Sequence, residues 1–197
     1  MHPALELLIL PGTPADRAAR ALAHVPFAAS SVVALAVPVP RANALAVRLL
    51  TEDGRPAPVD LAVVAAALST QDHGVGLARL DGDAERRAWL QYRGGQQIAR
   101  FTVDDELWIP LDERGQPDLD GDMRRFGDGV PEEGWRRLRS CLDLGMERFV
   151  SCRFTPITRA LERLRAGEDS DARAWILVSG GRALLPPQEI GWRQLFR

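Results

Sequence analysis

Residues 31–50, SVVALAVPVPRANALAVRLL, decide the fold that is expected for this chain. Two runs rich in β-branched and apolar residues, 31–37 and 44–50, are joined by a loop that contains Pro38 and Pro40. Runs of this kind, bounded by turn residues, are typical of paired strands. The stretch therefore predicts a β-hairpin with a long turn.

A strand and a helix are expected before this hairpin. The apolar run 4–10 ends at the turn Pro11-Gly12-Thr13-Pro14, and a helical segment follows as far as about His24. Thr13 fits the N-cap position, because a threonine hydroxyl can accept a hydrogen bond from a free N–H group of the first turn. Pro14 fits the first helical position. The sequence thus predicts that Thr13 caps the first helix.

A helix and a strand are expected after the hairpin. Residues 59–68 place apolar side chains at helical spacing, and residues 75–80 form a further β-rich run. The resulting order, β-α-β-β-α-β, predicts an α/β fold of the α+β type, with a ferredoxin-like plait in residues 1–80.

Residues 81–197 are predicted to form a second, smaller α/β unit. Its expected helices cover 83–92, 132–144, 156–165 and 187–196, and its expected strands cover 96–103, 107–111, 148–154 and 174–179. An acidic loop rich in Asp, Gly and Pro occupies residues 112–130. Alternatively, these elements complete the sheet of the first 80 residues, and the chain is one continuous domain.

The basic side chains exclude part of the usual chemistry, because all 25 Lys and Arg residues are arginines. No lysine amine is present to form a Schiff base or to hold the phosphates of a P-loop. A GC-rich bacterial genome accounts for such a bias. The arginines therefore limit the chemistry without indicating a function.

The charge balance argues against a general nucleic-acid binder, since the formal net charge is −2 and such binding depends on a basic surface. The charge is unevenly distributed along the chain. Residues 81–130 carry seven arginines and twelve carboxylates, whereas residues 131–197 carry twelve arginines and nine carboxylates. The middle of the chain is acidic and its last third is mildly basic.

The cellular compartment is predicted from signals that the sequence lacks. Glu6 interrupts the apolar stretch that an export signal would need, and prolines interrupt the uncharged residues 21–40. The two cysteines, Cys141 and Cys152, are too few for the disulfide framework of a secreted domain. We expect a cytoplasmic protein that binds neither nucleic acid nor membranes.

The acidic loop contains the clearest candidate for a metal site. Asp118, Asp120 and Asp122 alternate at the spacing with which oxygen ligands surround Mg²⁺ or Ca²⁺. An EF-hand loop that starts at Asp118 would need Gly and Glu where this chain has Met123 and Gly129. The three aspartates are a candidate site for Mg²⁺ or Ca²⁺, and the alternative is a solvated loop that holds no cofactor.

Arginines mark a candidate surface for a partner protein. Arg136, Arg137 and Arg139 flank the apolar residues Trp135 and Leu138 of the expected helix 132–144. Such arginines either face solvent or bind an acidic partner, which could be the acidic segment of a second copy in a homodimer.

Catalytic residues are not apparent. His73 is the only histidine in a setting suited to catalysis, but the adjacent Asp72 is poorly placed to orient its ring. Cys152 alternates in phase with Val150 and Phe154, which indicates a buried hydrophobic position rather than a nucleophile. We therefore predict no catalytic residue.

The Pro11-Gly12 turn, the helix after it and the order of the elements give residues 5–80 a resemblance to the ACT domain. That family binds amino acids or other small effectors at such turns, often at dimer interfaces. The resemblance implies a ligand at Gly12 and Thr13. We expect a non-enzymatic binding or regulatory module for a small effector or a partner protein. The alternative is a hydrolase or transferase assisted by a divalent metal in residues 112–128.

Overall fold

The structure, a computed structural model, describes only part of the chain. The described residues are 5–25, 27, 31–39, 44–70, 74–80, 87–102, 107–110, 114, 116, 124–125 and 173–191. They form two helices and an antiparallel sheet, with strands predominating, so the architecture is a mixed α+β one.

The elements of the first 80 residues follow each other in the order that the sequence predicts. They are β1 (Leu5–Pro11), α1 (Ala15–Ala23), β2 (Val32–Val39), β3 (Ala44–Thr51), α2 (Leu61–Ser69) and β4 (Val75–Leu80). In the sheet these strands lie side by side in the order β2-β3-β1-β4, and each neighbouring pair is antiparallel.

Six further strands extend this sheet on both sides. They are β5 (Arg87–Arg93), β6 (Gln96–Thr102), β7 (Leu107–Pro110), β8 (Arg124–Arg125), β9 (Arg173–Ser179) and β10 (Arg182–Gly191). Strands β5 to β8 continue from β4, whereas β9 pairs with β2 and β10 with β9. Strands from before and after residue 80 therefore share one ten-stranded sheet.

One face of the sheet packs against both helices. Leu8 lies between its register partners Val47 on β3 and Leu77 on β4, and all three side chains are fully buried. Helix α1 contacts β9 and β10, and α2 contacts β4, β5 and β1. The helices contribute these buried residues to the core: Ala18, Ala19, Leu22, Leu61, Val64, Ala65 and Leu68. Burial of one side of each helix against the sheet thus fixes its place.

The opposite face of the sheet is buried as well. Leu7, Ile9 and Leu35 alternate with the residues that face the helices, yet each is at most 1% exposed. Strands that are buried on both faces consist of continuous apolar residues instead of alternating ones. This explains the uninterrupted apolar run of β2, and it makes the central strands of the sheet an interior layer of the protein.

The predicted helix 83–92 is wrong over its described part, because β5 begins at Arg87. Leu90 and Tyr92 are buried at two-residue spacing, which is the period of a strand. A two-residue turn, Gly94-Gly95, has φ angles of 59° and 83° and connects β5 to β6. Glycine favours this left-handed conformation, which matches the twist of a hairpin. Pairing with β4 and β6 therefore prevails over helix formation.

The predicted helix 187–196 is also wrong where it is described. Residues up to Gly191 belong to β10, and Gln188 pairs with Ile176 of β9. Ile190 is completely buried in the strand. A proline followed by polar and apolar residues, as at Pro187, is typical of a helix start. In this segment, pairing with β9 determines the conformation instead. Residues 192–197 lie outside the described part of the chain.

Some predictions concern segments outside the described residues. They are the helices 132–144 and 156–165, the strand 148–154 and most of the acidic loop. Within residues 112–130, only Arg114, Gln116 and the short strand β8 are described. The division into two domains at residue 80 stays a prediction.

Both described helices are short. Each contains nine residues, and neither is long and apolar enough to cross a bilayer.

Candidate effector-binding turn

The turn between β1 and α1 is open to solvent at Gly12. This glycine has a φ of 58°, and a Cβ atom placed on it would meet nothing within 4 Å. The Thr13 hydroxyl donates a hydrogen bond to the Pro11 carbonyl oxygen at 3.0 Å, which closes the turn. The structure therefore brings both predicted ligand residues, Gly12 and Thr13, to one accessible turn.

The prediction that Thr13 caps α1 is wrong, because Pro14 occupies the N-cap position. Pro14 is extended, with φ of −63° and ψ of 151°, and no side chain caps the helix. The first helical hydrogen bond joins the Ala18 N–H group to the Pro14 carbonyl oxygen at 2.9 Å. Thr13 lies one residue too early, and its hydroxyl is engaged with Pro11 instead.

Helix α2 provides an internal comparison for this uncapped helix start. Its N-cap residue is Asp60, whose carboxylate accepts a hydrogen bond from the Ala62 N–H group at 2.9 Å. The first N–H groups of any helix lack partners within the helix and carry a partial positive charge. In α2 the Asp60 carboxylate, which belongs to the chain itself, compensates this partial charge. In α1 an external carboxylate or phosphate could do so.

The sheet places the β1–α1 turn beside three other strand ends. Pro11 is the register partner of Ala44 at the start of β3, and Ala44 is also paired with Val39 at the end of β2. On the other side, Ile9 is paired with Gly76 near the start of β4. The turn therefore lies at the same sheet end as the start of β4. His73 lies outside the described residues.

A small cavity lies at the other end of β1 and does not suit an effector. Its volume is about 70 Å³, and its lining includes Glu6, Leu49, Ala57 and Leu61. Ligand sites generally have volumes of about 300–1,000 Å³. The Glu6 carboxylate is also paired with the Arg79 guanidinium at 2.5 Å. This cavity is therefore too small for an effector, and the Glu6 carboxylate in its lining is already neutralised.

Two described side chains have shifted pKa values, and neither shift indicates catalysis. A hydrogen bond from the Thr51 hydroxyl lowers the pKa of Asp53, which is exposed in a turn next to Arg55. Burial raises the pKa of Tyr92, whose hydroxyl donates to the Gln97 side-chain oxygen at 3.1 Å. Asp53 is paired with Arg55 in an exposed turn, and the Tyr92 hydroxyl is engaged with Gln97, so local contacts and burial explain both shifts.

The other predicted site residues lie outside the described part of the chain. This holds for the candidate metal ligands Asp118, Asp120 and Asp122, and for the candidate partner residues Arg136, Arg137 and Arg139. Among the described residues, no group of three His, Cys, Asp or Glu side chains could hold a metal ion. The predicted metal and partner sites therefore stay predictions.

Ser69 is a buried polar residue that the sequence reasoning missed. Its hydroxyl donates to the Ala66 carbonyl oxygen at 2.8 Å and accepts from the Gly95 N–H group at 3.0 Å. The Ser69 carbonyl oxygen accepts from the Gly94 N–H group at 3.1 Å. The glycine pair was visible in the sequence, but its contact with the end of α2 depends on the tertiary fold. Ser69 has a structural role in fixing the β5–β6 turn to α2.

One buried arginine and one arginine with a buried nitrogen atom were also missed. Arg48 is only 8% exposed on β3, and its sole sequence signal is that it interrupts an apolar run. On β6, the Nε atom of Arg100 is buried without a hydrogen-bond partner. Because solvent does not reach that atom, a ligand cannot contact it in this conformation.

Comparisons with known proteins do not place the chain in a family. No protein-family model matches it. No curated protein and no solved structure is significantly similar to it. The resemblance of residues 5–80 to the ACT domain therefore has no support from these comparisons.

Proposed function

We propose that this protein is a non-enzymatic binding module whose N-terminal part is a ferredoxin-like unit. The order β2-β3-β1-β4, with α1 and α2 on the same face of the sheet, supports this description of the fold. The two further strands beside β2 and the four beside β4 enlarge the sheet without interrupting that order.

The observation that carries the proposal is the uncapped start of α1 at an open turn. Gly12 leaves space above the turn, and the helix supplies N–H donors that no side chain of the cap satisfies. Backbone donors at a helix start suit a carboxylate or a phosphate. The ligand is therefore a small anionic effector or an acidic side chain of a partner protein.

Helix length and charge are consistent with this ligand class. Helix α1 has nine residues, and its aligned peptide groups produce a partial positive charge at the turn. Asp16 lies in the first turn and is exposed, so it lowers this potential in part. Arg17, which is also exposed, restores a positive charge next to it. We therefore expect the helix start to favour an anion over a neutral or cationic ligand.

The proposal is tested by thermal shift and calorimetric titration of the full chain with inorganic phosphate and with each free amino acid. The informative variant is Pro14→Asp, because an N-cap carboxylate would bind the free N–H groups itself and repel an anion. The matched control is Pro14→Ala, which removes the proline without adding a cap.

Opposite effects on stability and affinity distinguish blocking of the site from loss of the fold. Pro14→Asp is expected to be about 1 kcal/mol more stable than Pro14→Ala, since this is the usual contribution of an N-cap side chain. Binding of the probe should be lost in Pro14→Asp and retained in Pro14→Ala. Equal affinity in both variants would exclude the helix start as the binding site.

The proposal also includes self-association, because a partner surface could be shared between two copies. Light scattering at high protein concentration measures this directly. A molar mass of two chains supports a homodimer, and the mass of one chain at all concentrations argues against it.

The metal-assisted hydrolase or transferase remains the alternative proposal. It depends on the spacing of Asp118, Asp120 and Asp122, which lie outside the described residues. A ligand present at 100 times its Kd adds about 2.7 kcal/mol of stability. A thermal shift with Mg²⁺ or Ca²⁺ that disappears in Asp120→Ala and Asp122→Ala would favour this alternative. No shift at millimolar metal would remove it.

A further inference from the structure

We draw no further inference here: the strongest candidate, the uncharged outer face of helix α2 around the exposed Val63 side chain, is an apolar surface for which nothing in the structure shows what covers it.

Discussion

Burial of the sheet on both faces can be tested with two adjacent leucines of β1. Leu7 and Leu8 point to opposite faces, and they are 1% and 0% exposed. Leu8 faces the two helices, whereas Leu7 lies next to its register partner Ala78 on the other face. If both faces are interior, truncation of either side chain must destabilise the protein to a similar degree.

The expected size of the effect follows from the burial of the two side chains. Replacing a fully buried leucine by alanine costs about 2–5 kcal/mol, from lost transfer free energy and from the cavity that remains. With a urea dependence of about 2 kcal/mol per molar, each variant should lower the unfolding midpoint by about 1 M or more. Equilibrium unfolding in urea, followed by circular dichroism and fluorescence, measures both the midpoint and the slope.

Control variants separate this explanation from a general sensitivity to mutation. Val63→Ala removes a similar side chain from a position that is 62% exposed, so its effect should stay within about 0.5 kcal/mol. Ile9→Val is a milder change on the same face as Leu7 and should cost about 0.5–1.5 kcal/mol. If Leu7→Ala costs less than Val63→Ala while Leu8→Ala is strongly destabilising, the second face is not interior and the reasoning is refuted.

Three further predictions concern a helix cap, a buried hydroxyl and the tyrosine. Asp60→Ala should lower the free energy of unfolding by about 1 kcal/mol in urea, because α2 loses its N-cap, and an unchanged midpoint would contradict the cap. Ser69→Ala should cost about 1–3 kcal/mol and should accelerate amide exchange at Gly95, which loses its acceptor, whereas unchanged exchange there would exclude this contact. Tyr92 is the only tyrosine, so tyrosinate absorbance reports its ionisation alone, and burial should raise its pKa above that of the urea-unfolded chain. Because burial raises the pKa of Tyr92, the stability that its neutral hydroxyl contributes is complete below the unfolded pKa, about 10, and is lost as pH rises towards the folded pKa. Identical titration curves for the folded and the urea-unfolded chain would contradict the burial of Tyr92.

The sequence predicted the elements from β1 to β4 because each is marked by strong local signals. Pro11 and Gly12 end β1, and Pro40 directly follows β2 in the sequence, although Pro38, expected in the connecting loop, lies within β2 and pairs with Leu45. The apolar residues of α2 recur at helical spacing, and Leu61, Val64 and Leu68 are buried as this pattern indicates. Signals of this kind depend on neighbours along the chain, so one sequence suffices to interpret them.

Strands β5 and β10 were missed because pairing with a neighbouring strand, rather than the pattern within the segment, determines their conformation. In β5, Arg87 pairs with Leu80 and Leu90 with Leu77 of β4, and these pairings outweigh the helical appearance of the segment. In β10, pairing resumes at Gln188 after an irregularity in the register. Pairing between strands contributes as much as local preference, and a single sequence does not reveal the partner.

The turn between β1 and α1 was predicted in the right place, whereas the residue that caps α1 was not. Gly12 identified the turn, because its left-handed φ of 58° is one that glycine adopts readily. The choice of cap was wrong because Thr13 and Pro14 both suit the start of a helix, in adjacent positions. Which one becomes the N-cap depends on where the first helical hydrogen bond forms, and here it ends at the Pro14 carbonyl oxygen.

The proposed anion site is tested most directly by the amide chemical shifts of Ala15, Asp16 and Arg17. Uniformly ¹⁵N-labelled protein would be titrated with inorganic phosphate and with each amino acid that gives a thermal shift. The account predicts saturable shifts at these three amides and at Gly12, with no comparable change at the capped start of α2 near Ala62. Ligand binding that leaves the α1 amides unchanged, or no binding by any of these probes, would contradict it.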